Sequence, residues 1–169
     1  MRLTIATILI ISFSNLAHAQ GSREADLKAA FIYNFIRYTD WDTTNMQKDF
    51  SIGIIGSSPV AIPLSEIAKT GVIKGRRISI HRFNRPEDIS YCNVLFIAKK
   101  GPYSLPSILE RTDKGVLTIS EENGFAKQGT TLNFVIINNK LKFEANLEAI
   151  LASGLHVSSK LLKLAIIVD

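Results

Sequence analysis

Short apolar runs separated by helix-length segments constrain this chain more than any other feature. Phe50-Ser-Ile-Gly-Ile-Ile55 has little polar alternation, as a strand with both faces covered by helices requires. Arg77 to Phe83, Val94 to Ala98 and Val116-Leu-Thr-Ile119 follow at intervals long enough for crossover connections. A helix is expected from Gly56-Ser-Ser-Pro59 to about Thr70, with proline placed for its first turn. Another is expected from about Leu105 to Asp113. Strands alternating with helices in this way predict an α/β fold: a mostly parallel sheet, helices on both faces and right-handed crossovers.

The ends of the chain add different elements. From Arg23 to about Tyr38 apolar residues fall on two adjacent stripes, Leu27, Phe31, Phe35 and Tyr38 on one and Ala25, Ala29, Ile32 and Ile36 on the other. A helix apolar over that much of its circumference is expected to be largely buried. Asp40-Trp41-Asp42-Thr43 ends it, and a polar loop runs to Asp49. Thr131 to Ile137, Asn138-Asn139 and Leu141 to Glu144 read as an antiparallel hairpin, because paired asparagines tolerate the positive φ angles of a tight turn. Asn146 is expected to cap a short helix that Gly154 ends, and Ser158 to cap a final, strongly apolar helix. On that last helix Leu161, Leu164, Ala165 and Val168 would share one face, and Lys160 and Lys163 another.

Met1-Arg2, the apolar stretch Leu3 to Leu16 and Ala17-His18-Ala19 have the layout of a cleaved secretory signal, too short for a membrane span. Residues 1–19 are therefore expected to be a signal peptide and 20–169 a single α/β domain, exported to the periplasm. Cleavage would leave 150 of the 169 residues and a net charge of +4 in place of +5, since Arg2 departs. A chain of that size buries about 68–70% of its unfolded surface and needs no staples. It has none: Cys92 is the only cysteine, so no intrachain disulfide can form in the oxidising space. Cys92 opens an apolar run and is expected to be a small buried residue.

Catalytic patterns are missing. His81 and His156 survive cleavage, but neither sits in an H-E-x-x-H spacing, and the chain holds no C-x-x-C and no G-x-S-x-G elbow. No catalytic residue, metal ligand or cofactor is assigned. The most ligand-like element is the turn Gly56-Ser57-Ser58 between a strand and a helix, where free backbone N–H groups could hold a phosphate or carboxylate. It lacks the glycine spacing of a dinucleotide fingerprint and the lysine of a P-loop. A small-ligand or anion-binding module is therefore the alternative function. Six basic residues between Lys69 and Arg85, with no acidic one, could steer an acidic partner but read more simply as solvated edges; nucleic acid is not expected. Asp40 with Asp42, and Glu121 with Glu122, read as exposed loop carboxylates.

Several segments together resemble the YfiR family. They are Lys28-Ala-Ala-Phe-Ile-Tyr-Asn-Phe-Ile-Arg-Tyr-Thr-Asp-Trp41, Ile52-Gly-Ile-Ile-Gly56, Cys92-Asn-Val-Leu-Phe-Ile97, Leu117-Thr-Ile-Ser120, Gly129-x-x-Leu-Asn-Phe134, Lys142-Phe-Glu-Ala-Asn146 and Gly154-Leu-x-Val-Ser-Ser-Lys-Leu-Leu-Lys-Leu-Ala165. The resemblance covers nearly all of residues 20–169. It implies a non-enzymatic periplasmic repressor that binds the periplasmic domain of an inner-membrane diguanylate cyclase or sensor kinase and is itself sequestered by an outer-membrane partner. It also implies that Glu144 through Ile150 lies in the partner-binding region; with the basic edge at Lys160 and Lys163, Glu144 and Ile150 form the expected surface. Asp42 stands where proline is common, Gln128-Gly129 where two glycines are, and Ala145-Asn146 where isoleucine-asparagine is. The disulfide cysteines of some relatives are missing. Exposed apolar residues and hairpin edges permit a homodimer without requiring one.

Overall fold

The computed structural model describes residues 21–41, 48–99 and 101–168. Helix α1 occupies residues 21–37 and leads into the two-residue strand β1 (Thr39–Asp40). Then come β2 (Phe50–Ile55), α2 (Ala61–Thr70), β3 (Val72–Ile73), β4 (Arg76–Phe83), β5 (Val94–Ile97), α3 (Leu105–Leu109) and β6 (Leu117–Ser120). The chain finishes with β7 (Leu132–Ile137), β8 (Lys140–Asn146), α4 (Leu147–Ser153), β9 (His156–Val157), α5 (Ser159–Leu162) and β10 (Ile166–Val168). The expected signal peptide lies outside the described residues.

Eight strands form one sheet in the order β10-β8-β7-β6-β5-β2-β4-β3. Strands β4, β2, β5, β6 and β7 pair in parallel, as the alternation predicts, while β8 joins β7 as the antiparallel arm of the hairpin. Its turn residues Asn138 and Asn139 have φ of 50° and 57°, the left-handed values that a two-residue hairpin of this kind needs. A second hairpin of the same sort joins β3 to β4 through Lys74 (φ 49°) and Gly75 (φ 78°). A separate two-stranded sheet pairs β1 with β9, Thr39 opposite Val157 and Asp40 opposite His156.

All six residues of β2 are buried, because each of its faces meets its own core. Phe50, Ile52 and Ile54 point to the first face, where Ala29, Ile32, Phe35 and Ile36 of α1 and Leu64 of α2 pack with Ile150, Leu155 and Leu161. The centre of that face is aromatic: Phe35 lies 4.7 Å from Phe143 and 5.6 Å from Phe134, ring centre to ring centre. Ile55, Phe83, Leu95 and Ile97 point to the second face, under Leu105 and Ile108 of α3. Gly53 belongs there too. An ideal Cβ on it would stand 2.6 Å from Phe83 Cε2 and 3.1 Å from Cys92 Sγ, so only glycine fits.

Three expectations are corrected. Leu27 and Tyr38 of the first stripe are exposed, because α1 lies on the sheet by its Ala25–Ile36 side. Helix α3 stops at Leu109 rather than Asp113: Thr112 Oγ1 turns back to the Ile108 carbonyl, and Gly115 at φ 82° redirects the chain. The final helix is one turn long. Ser158 caps it, its Oγ accepting from Lys160 N at 3.2 Å, but it ends at Leu162, and Ile166–Val168 instead forms β10, parallel to β8. The β-branched run Ile166-Ile-Val favours a strand wherever an open sheet edge is within reach. Leu161 is core, Leu164 is 74% exposed, and Val168 is buried as a strand residue.

Candidate functional site

Glu144 stands near the end of β8, on the second face of the sheet. Register places Ser120, Asn133, Glu144 and Ile166 side by side across four strands. The three polar members are joined: Ser120 Oγ donates to Asn133 Oδ1 at 2.7 Å, and Asn133 Nδ2 donates to Glu144 Oε2 at 2.9 Å. Thr130 Oγ1 completes the row, 2.8 Å from Ser120 Oγ. Ser120, Thr130 and Asn133 are fully buried, so this row holds one oxygen of the half-buried Glu144 in a fixed place. No cation pairs with Glu144 among the described residues. Its second carboxylate oxygen has no hydrogen-bond partner among the described residues.

The other residues of the expected surface divide. Ile150 is core, 7% exposed, and the outer side of α4 is formed by Leu147 and Leu151, at 42% and 82% exposure. They are four apart and share one helix face. Lys160 and Lys163 are both exposed, on α5 and at its C-cap. Beside them β10 is the edge strand, with Leu164 before it and Ile167 exposed within it. A short, apolar edge strand offers unpaired backbone groups and side chains to another chain. This edge was not legible in the sequence, because it depends on β10 being a strand.

The turn Gly56-Ser57-Ser58 follows Ile55, which register places in the same row across the sheet as Ser120 and Glu144, four strands away from β8. Gly56 has φ 86°, and Ser58 Oγ accepts from Val60 N at 3.3 Å, so that hydroxyl is already engaged. From β2 the chain crosses to β4 on one side and then returns to β5 on the other, which makes the carboxyl ends of β2 and β5 a topological switch point. A crevice of about 140 Å³ opens there, among Gly56, Ala98, Gly101, Tyr103 and Glu122.

Several other charges are paired. Glu121 is not an exposed loop carboxylate: its side chain is 7% exposed and bonded to Lys28 Nζ at 2.7 Å. Lys28 also meets Glu24 at 2.7 Å, and Lys99 N donates to Glu121 Oε1 at 3.2 Å. Burial pulls the Lys28 ammonium toward neutrality, but its two carboxylate partners outweigh this and hold its pKa above the ordinary lysine value. Asp40 is held below the usual carboxylate range by its hydrogen bond to Lys74; Asp42 lies outside the described residues. In the basic run Lys69 pairs with Glu66, Lys74 with Asp40, Arg77 with Asp49 and Arg85 with Asp88. Burial pushes the Cys92 thiol up to about 12, which leaves it unreactive. Among the described residues no group of three or more histidine, cysteine or acidic side chains could hold a metal, and no helix is long and apolar enough to cross a membrane.

A family model described as YfiR/HmsC-like matches residues 25–166, from α1 to the first residue of β10.

Proposed function

Because the chain belongs to the YfiR/HmsC-like family, we propose that it is a periplasmic regulator of cyclic di-GMP signalling that acts by binding and not by catalysis. In this reading residues 1–19 direct export and are removed, and the remaining α/β domain binds the periplasmic domain of an inner-membrane diguanylate cyclase, or of a sensor kinase, and holds its output down. An outer-membrane protein that covers the same surface would relieve the repression. A homodimer is compatible with the exposed β10 edge.

The family match carries this reading, and the C-terminal edge supports it. Glu144 is held by Asn133 with one oxygen unclaimed, and Leu151 on α4, Leu164 in the turn before β10 and Ile167 on β10 lie exposed. Interfaces of this kind draw most of their binding free energy from a few anchors. The test is capture of inner-membrane proteins by the purified chain, together with a cyclic di-GMP reporter. Glu144→Lys and Leu151→Asp should each lose the captured cyclase or kinase and raise the reporter while melting as the parent does. The reading fails if the parent retains no such membrane protein and deleting its gene leaves the reporter unchanged.

The crevice at the switch point, lined by Gly56 and Lys99 beside the hydroxyls of Ser57 and Ser58, favours a second reading, a small-anion module at that turn. Under it a small anion raises the melting temperature of the parent, and Ser57→Ala with Lys99→Met removes that rise. No rise in the parent would end this reading.

A further inference from the structure

A depression of about 580 Å³ opens on the second face of the sheet, at the opposite end of β2 from the Gly56 turn. Ser51 stands in register with Ser79, and Gly53 with His81. Strand alternation therefore puts Ser51, Ser79 and His81 on one face, the face on which Gly53 meets Phe83 and Cys92. The apolar cluster under α3 ends at that point. Beyond it the wall becomes polar, with Tyr91, Lys48 and Asp49 at the rim.

Ser51 is 4% exposed, yet its Oγ has no hydrogen-bond partner among the described residues. A buried hydroxyl without a partner destabilises a fold, and alanine there would remove the penalty. Three more donors lie around it. Tyr91 Oη accepts from Asn93 Nδ2 at 3.3 Å and keeps its own proton to give. His81 Nε2 lies 3.2 Å from Ser79 Oγ, which leaves Nδ1 for another contact. Lys48 is exposed, and the one carboxylate of the rim, Asp49, stands 3.9 Å from Arg77 Nε, so the rim as a whole is not acidic.

We propose that this depression binds the oxyanion group of a small molecule, a carboxylate or a phosphate, with Ser51 and Tyr91 as hydroxyl donors and Lys48 supplying the charge. An oxyanion accepts several hydrogen bonds at once and would satisfy the Ser51 hydroxyl. The site is separate from the partner surface at Glu144 and from the Gly56 crevice.

The test is a titration of the mature chain with inorganic phosphate and with acetate, followed through the His81 ring signals by nuclear magnetic resonance, against sodium chloride at equal ionic strength. A saturable shift is expected with at least one of the two oxyanions and not with chloride, and their ranking assigns phosphate or carboxylate. Ser51→Ala and Lys48→Met should each bind about tenfold more weakly, the loss expected for one hydrogen bond to a charged group. Ser51→Ala should meanwhile melt no lower than the parent, which separates lost binding from lost folding. Lys99→Met, in the Gly56 crevice, should titrate as the parent does. The proposal is overturned if neither oxyanion saturates, if chloride gives the same shift, or if Ser51→Ala and Lys48→Met bind like the parent.

Discussion

Replacing Glu121 with leucine should destabilise this protein more than any surface substitution, and the structure sets the size of the effect. The Lys28 side chain is 11% exposed, with Glu121 at 2.7 Å and 7% exposure as its buried partner. Removing one member of a buried pair costs about 3–5 kcal/mol, because the other charge is left without compensation. The lower end applies here, since Glu24, 44% exposed, still reaches Lys28 at 2.7 Å. A loss of about 3 kcal/mol is a large part of the total of about 5–15 kcal/mol typical of a domain. At about 2–4 °C per kcal/mol for a chain of this length, the midpoint should fall by about 6–12 °C. Lys28→Met should cost a similar amount, because Glu121 would keep only the Lys99 N–H. The double variant Lys28→Met/Glu121→Leu removes both charges and should return to within about 1 kcal/mol of the parent. Urea unfolding followed by circular dichroism, arranged as a double-mutant cycle, measures all four proteins. A single Glu121→Leu loss below about 1 kcal/mol, or a double variant as unstable as the two singles summed, would refute this account of the pair.

The same cluster predicts an alkaline limit. The folded-state pKa of Lys28 is raised above its unfolded value of 10.5, so its contribution is complete below that pH and is lost as pH rises through the folded value. Urea midpoints of the parent should therefore hold up to about pH 10.5 and fall above it more steeply than those of the double variant; equal slopes would count against it. Cys92 should resist thiol reagents in the native state and react at once in denaturant, since burial holds its thiol up at about 12. Gly53→Ala should lower stability by about 1–3 kcal/mol by overpacking, because its Cβ would meet the Phe83 ring at 2.6 Å; an unchanged urea midpoint would show that the ring moves freely aside.

The parallel sheet was legible because its strands announce themselves locally. Phe50–Ile55 is apolar without alternation and forms a strand with those bounds, and Asn138-Asn139 and Gly154 carry the φ values that their turns need. Asn146 caps α4 as its position suggested, its Oδ1 accepting from Ala149 N at 2.8 Å. What depended on a neighbour was not legible. Ile166-Ile-Val168 is apolar in a way that suits a helix end or a strand, and only the open side of β8 decides between them. Glu121 looks like loop polarity until Lys28, far away in the chain, arrives beside it. The site followed the same rule. Glu144 could be singled out by resemblance, but its tie to Asn133 needs the register of the hairpin, and the burial of Ile150 needs the helix to be seated.

The small β1–β9 sheet has a consequence for when the molecule can be finished. Thr39 lies opposite Val157, and Ser158 N donates to the Tyr38 carbonyl at 2.8 Å, so the exit of the first helix is clasped by a segment from the far end of the chain. Leu155 and Leu161, on either side of that clasp, belong to the same core as Ile32 and Phe35. Closing so long a loop is slow and cannot start until its second end exists as free chain. In a polypeptide threaded through a membrane pore, the first helix would wait, unsealed, until residues 155–161 had crossed. Such a chain would stay pliable while that segment was still in transit and lock only once it had arrived.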